Sequence, residues 1–387
     1  MEEKYEVKEG NNSITELRDN ILKSLLKSGF SISDDGELLI PNSKEYYKKV
    51  QISAVNYILN KNTKFLNKFD DYFLQEFIKD GKELDVQNIK PTLVRVSSIK
   101  SGNLFRWTKM HWSVPISAGY GRRLRYIVYD KGNDSLIGII GLADPVFALG
   151  DRDKYIGWTT DTRKKRLKHV MDAFVLGAVP PYSQILGGKL VASLLMSPRV
   201  RNDFSRQYRG KRSLISGEVF DGKLAAITTA SALGKSSIYD RIKIENDSEF
   251  LHVGWSKGSG EFQFINGLYD QLFNLASSSV KWAKNPLWGK GSRNRRVIVQ
   301  EGLSILGLPR SLLYHNIPRE LFLIPLGSKA LPFLREETKQ ISYYKATQND
   351  ISKFALKRWV IPRSERRKEY LDFKKEQYSL INNLNSC

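Results

Sequence analysis

Seven consecutive residues without a polar side chain, Leu136-Ile137-Gly138-Ile139-Ile140-Gly141-Leu142, constrain this chain more than any other feature. A run this short and this apolar reads as a strand. Leu124-Arg125-Tyr126-Ile127-Val128-Tyr129 reads as a second one, and Lys131-Gly132-Asn133-Asp134 between them has the composition of a hairpin turn. The hairpin leads into a stretch, Leu136 to Arg241, in which glycines, hydroxyls and charges crowd more closely than a routine core requires. It holds Asp151-Arg152-Asp153-Lys154-Tyr155-Ile156-Gly157-Trp158, then Gly177 to Lys189, then Thr228 to Ser237. A functional site is expected here.

The flanks read differently. Ser13 with Glu16 forms the S-x-x-E capping signature, Ile14, Leu17, Ile21 and Leu25 recur at helical spacing, and Gly29 is a suitable stop. Leu38-Leu39-Ile40-Pro41 is expected as a short strand after the Asp34-Asp35-Gly36 turn, with Ser43 capping a second helix. Phe65, Phe69, Phe73 and Phe77 lie four apart and form one helical stripe. Core packing is the plain reading of that stripe, and base stacking the functional one. From Pro91 the chain turns richer in β-branched and aromatic residues. Thr162–Phe174 has helical spacing and carries Arg163-Lys164-Lys165-Arg166 in its first turns, where cations are mildly unfavourable unless an anion is held there. A helix over Leu190–Met196 follows. Strand pairs are expected at Ser213–Phe220 with Lys223–Thr229, and at His252–Trp255 with Glu261–Ile265, before a helical and basic remainder. The pattern predicts an α+β protein with an N-terminal helical region (1–95), a central mixed β/α core (96–265) and a C-terminal helical, basic region (266–387).

The chain has 387 residues, 41% of them hydrophobic and 11% aromatic, as in a folded protein with room for a large core. Its charge is less ordinary: 62 Lys plus Arg stand against 41 Asp plus Glu, a formal net charge of +21. That excess favours polyanions, nucleic acid or an anionic membrane surface. No run approaches the roughly 20 apolar residues of a membrane span. The opening Met1-Glu2-Glu3-Lys4-Tyr5-Glu6 is acidic and has no apolar segment, unlike a signal peptide. A membrane is therefore set aside and the cytoplasm is the expected compartment. The single cysteine, Cys387, allows neither an intrachain disulfide nor a cysteine zinc site. His111, His169, His252 and His315 show no ligand spacing.

Two stretches imitate the phosphate-binding loop G-x-x-x-x-G-K-[ST], and both fail. Gly234-Lys235-Ser236 has Thr229 where the first glycine belongs, and Gly188-Lys189 runs on into Leu190. ATP-driven work would fall to a partner. Gln184-Ile185-Leu186-Gly187-Gly188-Lys189, at a helix start, is similar to the pyrophosphate-binding turn of acetyl-CoA-dependent N-acetyltransferases, and the preceding hairpin suits that fold. The likeness speaks for an N-acetyltransferase-like core more than for acyl transfer. Asp151, Asp153, Glu218 and Asp221 offer carboxylates to a metal-dependent nuclease, whose acidic groups must converge on paired cations such as Mg2+. Asp153, Glu218 and Asp221 are the catalytic candidates, and Asp221-Gly222-Lys223 gives a D-x-K tail. The competing reading pairs Asp151 and Asp153 with Arg152, Arg163 or Arg166 to hold a loop.

Basic runs with interleaved aromatics are the strongest chemical signal: Gly119-Tyr120-Gly121-Arg122-Arg123-Leu124-Arg125, Arg206-Gln207-Tyr208-Arg209-Gly210-Lys211-Arg212 and Lys290-Gly291-Ser292-Arg293-Asn294-Arg295-Arg296. Cations neutralise phosphates with release of counterions, and aromatic rings stack on exposed bases. No zinc finger, basic zipper or RNP motif is present, so sequence-specific readout is not indicated.

Taken in order, Gly121-Arg122-Arg123, Leu136-Ile137-Gly138, Asp144-Pro145-Val146, Arg152 to Trp158, Gly177-Ala178-Val179-Pro180-Pro181-Tyr182, Gly187-Gly188-Lys189-Leu190, and Thr229-Ala230-Ser231 with Gly234 to Tyr239 form a series. The series resembles the Druantia anti-phage system A-component family (DruA) over roughly residues 13 to 335. The resemblance implies a bacterial defence role, as one subunit of a multi-gene system that includes a helicase-type protein. It implies no reaction and transfers no catalytic residue. The expectation is an antiviral component that binds DNA or RNA beside partners of the same system. Its contacts are expected from Arg122, Arg123, Arg152, Trp158, Arg163, Lys164, Arg166, Lys189, Arg209, Lys211, Arg212, Lys235, Arg293, Arg295 and Arg296. The face around Arg152, Asp153, Trp158, Arg166, Gly188 and Lys189 is the expected functional surface. A metal-dependent nuclease, or another enzyme acting on nucleic acid, is one alternative; a structural adaptor without nucleic-acid affinity is another.

Overall fold

The apolar run forms a strand sealed on both faces: all nine residues of Ser135–Ala143 are buried. Such a strand cannot sit at an edge, and the sheet is built outward from it. The computed structural model describes residues 3–117, 119, 121–212, 217–244, 249–256, 258, 260, 262–264, 267–277 and 292–385, with the backbone course alone for 3–13, 292–294 and 385. Strands β1 (Ser31–Ile32) and β2 (Leu38–Leu39) make a small hairpin. Strands β3 (Pro91–Arg95), β4 (Arg123–Asp130), β5 (Ser135–Ala143), β6 (Val170–Ala178), β7 (Ala226–Ala230), β8 (Leu251–Ser256) and β9 (Arg319–Pro325) form one sheet in the order β3-β4-β5-β6-β7-β9-β8. Every neighbouring pair is antiparallel except β6 and β7. The glycines of β5 let β6 approach: a Cβ at Gly138 would lie 2.2 Å from the carbonyl oxygen of Gly177.

The principal helices are α1 (Glu3–Lys27), α2 (Lys44–Lys61), α3 (Thr63–Phe77), α4 (Ile99–Lys109), α5 (Gly150–Ile156), α6 (Thr160–Arg166), α7 (Gly187–Ser193), α8 (Pro198–Tyr208), α9 (Leu268–Ala276) and α10 (Ser292–Ile305). One face of the sheet packs on α7 and α8, where Leu190, Leu194, Val200 and Phe204 meet Tyr126, Ile140 and Ile227. The other face is covered in two halves. Phe73 of α3 and Trp107 of α4 pack over Ile127 and Leu136, while Ile156, Phe333 and Leu334 pack over Val170, Ala226 and Leu323. Full burial of a side chain such as Phe73 contributes about 1.5–3 kcal/mol. Ile21 and Leu25 of α1 join a further cluster with Leu272, Val299 and Leu303. No described helix is long and apolar enough to cross a membrane.

The α+β class and the β4–β5 hairpin stand as expected. The phenylalanine stripe is core: successive rings from Phe65 to Phe77 lie 5.0, 5.4 and 6.0 Å apart and pack against the α4 side of the sheet. Helix α1 already runs from Glu3, so Ser13 lies within it and does not start it. The helix expected over Thr162–Phe174 stops at Arg166, and Val170 to Ala178 continue as a central strand. Tertiary pairing overrides the helical spacing there, because Val170–Ala173 pair with β7 and the strand from Asp172 onward pairs with β5. Arg163 to Arg166 thus occupy the last turn of α6, where the helix dipole favours cations and no anion is needed. Between Arg212 and Val219 there is a single bridge, with 213–216 outside the described residues. Of the strand expected at Glu261–Ile265, residues 262–264 form a turn and the ends lie outside the described residues. Strand β9 lies in the stretch expected as helical and basic, and its apolar run is bounded by Pro318 and Pro325.

A buried carboxylate ties the covering helices to the C-terminal segment. Asp70 of α3, 1% exposed, accepts from the Trp107 indole of α4 (2.6 Å), the Ser379 hydroxyl (2.8 Å) and the Ile381 backbone N–H (3.1 Å). Hydrogen bonds to a charged group contribute about 1.5–3 kcal/mol each, with neighbours not additive. Asp70→Ala is expected to lower the unfolding free energy by about 3 kcal/mol in urea titration; a loss below about 1 kcal/mol would show that the three donors find other partners.

Candidate nucleic-acid interface

The mixed-charge stretch from Asp151 to Trp158 is an internal clamp. Helix α5 ends at Gly157, whose left-handed φ of 84° sends the chain back so that the Trp158 N–H donates to the carbonyl of Asp153. The Asp153 carboxylate accepts from Arg152 Nε (2.8 Å), Arg163 Nη1 (2.9 Å) and the Leu149 N–H (3.0 Å). Arg152 donates further to the carbonyls of Val146 and Phe147, and its guanidinium lies 5.5 Å from the Trp158 ring. Arg152 is 0% exposed and Asp153 is 6% exposed. The Trp158 indole donates to the carbonyl of Leu334 at 2.8 Å. These groups fasten the loop over 144–149 to α6 and to residue 334, and a strand of nucleic acid has no access to Arg152.

The other expected surface around Gly188 and Lys189 is also covered. Lys189 Nζ donates to the carbonyls of Ile238 (2.8 Å) and Asp240 (2.7 Å), and burial holds the ammonium below its usual range. A Cβ at Gly188 would lie 3.2 Å from Ile238 Cδ1. The turn from Gln184 to Lys189 is thus closed by residues 238–240, with cis peptide geometry at Pro180-Pro181 just ahead of it.

Most of the remaining candidates have internal partners. Arg122 pairs with Asp144 at 2.6 Å and donates to the carbonyl of Lys168; Arg166 pairs with Glu336 at 3.3 Å. Arg209 and Arg212 donate to the carbonyls of Asp221 and Gly217, and Lys211 lies 5.6 Å from the Tyr208 ring. Arg295 and Arg296 lie over Tyr269 and Tyr314. Lys164 and Lys235 are exposed, Lys164 beside Asp161 at 3.3 Å, and the Arg293 side chain lies outside the described residues. The three nuclease candidates are engaged separately. Asp153 braces two arginines, Glu218 pairs with Lys168 at 2.6 Å, and Asp221 accepts from the Lys223 N–H across the Gly222 turn. Among the described residues no group of three or more His, Cys, Asp or Glu side chains could hold a metal ion.

One set of cations is arranged otherwise. Capped by Ser98, α4 packs against β4 and β5 and brings its last turn, with Arg106 and Lys109, alongside β4. Alternation along β4 places Arg123 and Arg125 on one face, both exposed, with Leu124 and Tyr126 buried on the other. The guanidinium of Arg125 lies 5.6 Å from the Phe105 ring of α4; that of Arg106 lies 4.1 Å from Phe65 and donates to the Asn62 side-chain oxygen, and that of Arg123 donates to the carbonyl of Gly119 at 2.9 Å. Lys109 is half-buried, and its Nζ reaches only the carbonyl of Ser117, at 3.4 Å. Burial, then the charges of Arg125, Arg106 and Arg123, hold its ammonium below the usual range. Among the described residues none of the four forms an ion pair with a carboxylate, in contrast to Arg122 with Asp144, or Arg199 and Arg206 with Asp203. Four like charges gathered without counter-charge favour an anion with several negative groups. The run Gly119 to Arg125 announced Arg123 and Arg125; Arg106 and Lys109 join only once α4 is laid on the sheet.

The family described as Druantia protein DruA matches residues 41–336. A Druantia protein DruA of Escherichia coli (strain UMEA 4076-1) is 37% identical over 374 residues, which cover 95% of this chain and 92% of that protein. No solved structure matches the chain.

The clamp has a stability signature. Removing one partner from a buried ion pair costs about 3–5 kcal/mol, so Asp153→Ala is expected to unfold at markedly lower urea, with Arg152 and Arg163 left uncompensated. A variant that lost an activity at full stability would return Asp153 to the catalytic candidates. His169 gives a second test. It is 2% exposed, and burial lowers its pKa to about 4. Below the ordinary value the unfolded chain binds a proton that the folded chain refuses, so the stability present above about pH 6.5 is lost as pH falls toward 4. The expected loss from this group is about 2 kcal/mol between pH 7 and 5, and His169→Gln should remove it. An unchanged pH slope in that variant would assign the effect elsewhere.

Proposed function

The chain belongs to the DruA family of Druantia proteins, and from that premise we propose that it is the nucleic-acid-binding subunit of an anti-phage defence system. The observation that carries the binding is the cluster of Arg106, Lys109, Arg123 and Arg125. A half-buried lysine facing three guanidiniums is unfavourable in the free protein and relieved by a polyphosphate. The net charge of +21 adds a long-range attraction for the same ligand. Exposed Lys164, Lys211 and Lys235 are secondary contacts, whereas Arg152 and Lys189 serve the fold.

The helicase-type protein of the system is the proposed partner that would supply ATP-driven work, and the cytoplasm is the proposed compartment. An N-acetyltransferase-like ancestry for the core is supported by the place of the Gln184–Lys189 turn, directly after β6 and ahead of the parallel crossover to β7. With that turn closed by Ile238 to Asp240, acyl transfer has no support. A pure adaptor would have no use for four cations left without carboxylates.

Fluorescence anisotropy with labelled oligonucleotides across a salt series tests the reading. Affinity is expected to fall steeply with salt, each phosphate contact contributing about 0.7–0.9 to the log–log slope. The double variant Arg123→Gln with Arg125→Gln is expected to bind about tenfold more weakly at low salt and to lower the slope by about two. Equal affinity and slope in that variant would sink the assignment.

A further inference from the structure

Beside the cation cluster, α2, α4 and residues 112–116 line an open-mouthed cavity of about 150 Å³. Its apolar walls are Val55, Ile58, Met110, Trp112 and Ile116. The polar groups of the lining are Asn62, Arg106 and Lys109, the last two belonging to the cluster. Trp112 is half-buried and held in place, because its indole lies against β6 where Gly177 has no side chain; a Cβ there would come within 2.9 Å of Trp112 Cζ2. An aromatic ring fixed in this way is a ready stacking surface that loses little freedom when a ligand arrives.

Size narrows the occupant. A volume of about 150 Å³ takes one benzene-sized ring, and pockets for drug-sized ligands run to about 300–1,000 Å³. A six-membered base fills that volume, whereas a fused purine would project from it and bury a smaller share of its surface. Charge narrows it further. Arg106 and Lys109 line the cavity, but Arg123 and Arg125 do not, so the positive track continues beyond the reach of a single nucleotide. A duplex cannot offer the ring, since a paired base is stacked between its neighbours.

We infer that this cavity receives one pyrimidine base of a single-stranded nucleic acid whose phosphates lie across Arg106, Lys109, Arg123 and Arg125. The inference rests on the nucleic-acid reading above and narrows it to single strands. Stacking on an aromatic ring is independent of salt, whereas the phosphate contacts are not, so the two contributions separate in one titration.

The test uses the full-length chain and labelled single strands of equal length: oligo-dT, oligo-U, oligo-dA and a fully abasic oligomer that carries the same phosphates without bases. A duplex of that length completes the set. Oligo-dT, oligo-U or both are expected to bind about tenfold more tightly than the abasic oligomer, oligo-dA and the duplex. Trp112→Leu, and independently Ile58→Phe, which fills the cavity, are expected to bring the pyrimidine strand down to the abasic level with the salt slope unchanged. Abasic and pyrimidine strands that bind alike would overturn the inference, as would both variants retaining full affinity. Displacement of oligo-dT by an equal concentration of thymidine monophosphate would reassign the cavity to a free nucleotide. If Arg123→Gln with Arg125→Gln still weakens binding in those cases, the broader reading survives; if it does not, both fall.

Discussion

Strand β5 has no residue that can face water. Eight of its nine residues have no polar side chain, and all nine are buried, so both faces of the sheet must be covered where it passes. That requirement fixes the placement of everything nearby. On one side α7 and α8 close the core; on the other α3 and α4 are laid across β4 and β5. The last turn of α4 then falls beside the exposed arginines of β4 whatever else the chain does. The positive face is thus a consequence of covering an apolar strand: the same contacts that bury Trp107 and Phe105 carry Arg106 and Lys109 into position.

The charges of this chain divide into two populations. One is held inside or at the rim by matched partners. Asp153 takes Arg152 and Arg163, Asp203 takes Arg199 and Arg206, and Asp144 takes Arg122. Buried pairs of this kind position loops more than they add stability, because desolvation offsets much of the attraction. The other population has no carboxylate partner among the described residues, and its members meet only through the fold. For these, like charges at close quarters raise the free energy, and a polyanion would lower it. A net charge alone does not distinguish the two populations; the pairing pattern does.

Much of the architecture was legible, and the reasons are local. The hairpin from Arg123 to Ala143 has a polar turn between two apolar runs, Ser43 caps α2 through the Tyr46 N–H, and the phenylalanine stripe keeps helical spacing over four turns. What escaped was set by contacts distant in sequence. Val170 to Phe174 has helical spacing and becomes a strand because β5 and β7 flank it. Strand β9 pairs with β7 and β8 across a sequence gap that no periodicity reports. At the site, Arg123 and Arg125 could be named from their run, whereas Arg106, Lys109 and Trp112 are unremarkable until α4 and the loop after it are folded over β6.

The misdirection at Arg152 to Trp158 has a physical reason. Charges of opposite sign that are adjacent in sequence can always reach each other, so a dense mixed cluster tends to neutralise itself and turn inward once its donors are satisfied. Arg152 does so with Asp153 and two carbonyls, at zero exposure. A functional charge must remain unsatisfied by its own chain, and the way to keep it so is to surround it with charges of the same sign from other elements. Lys109 comes near that condition: apart from the long contact to the Ser117 carbonyl, its charged neighbours are Arg106 on its own helix and Arg123 and Arg125 on a strand that follows. In a strongly basic chain the sequence cluster to suspect of structure is therefore the one that mixes signs, and the cluster to suspect of binding is the one assembled by the fold from a single sign.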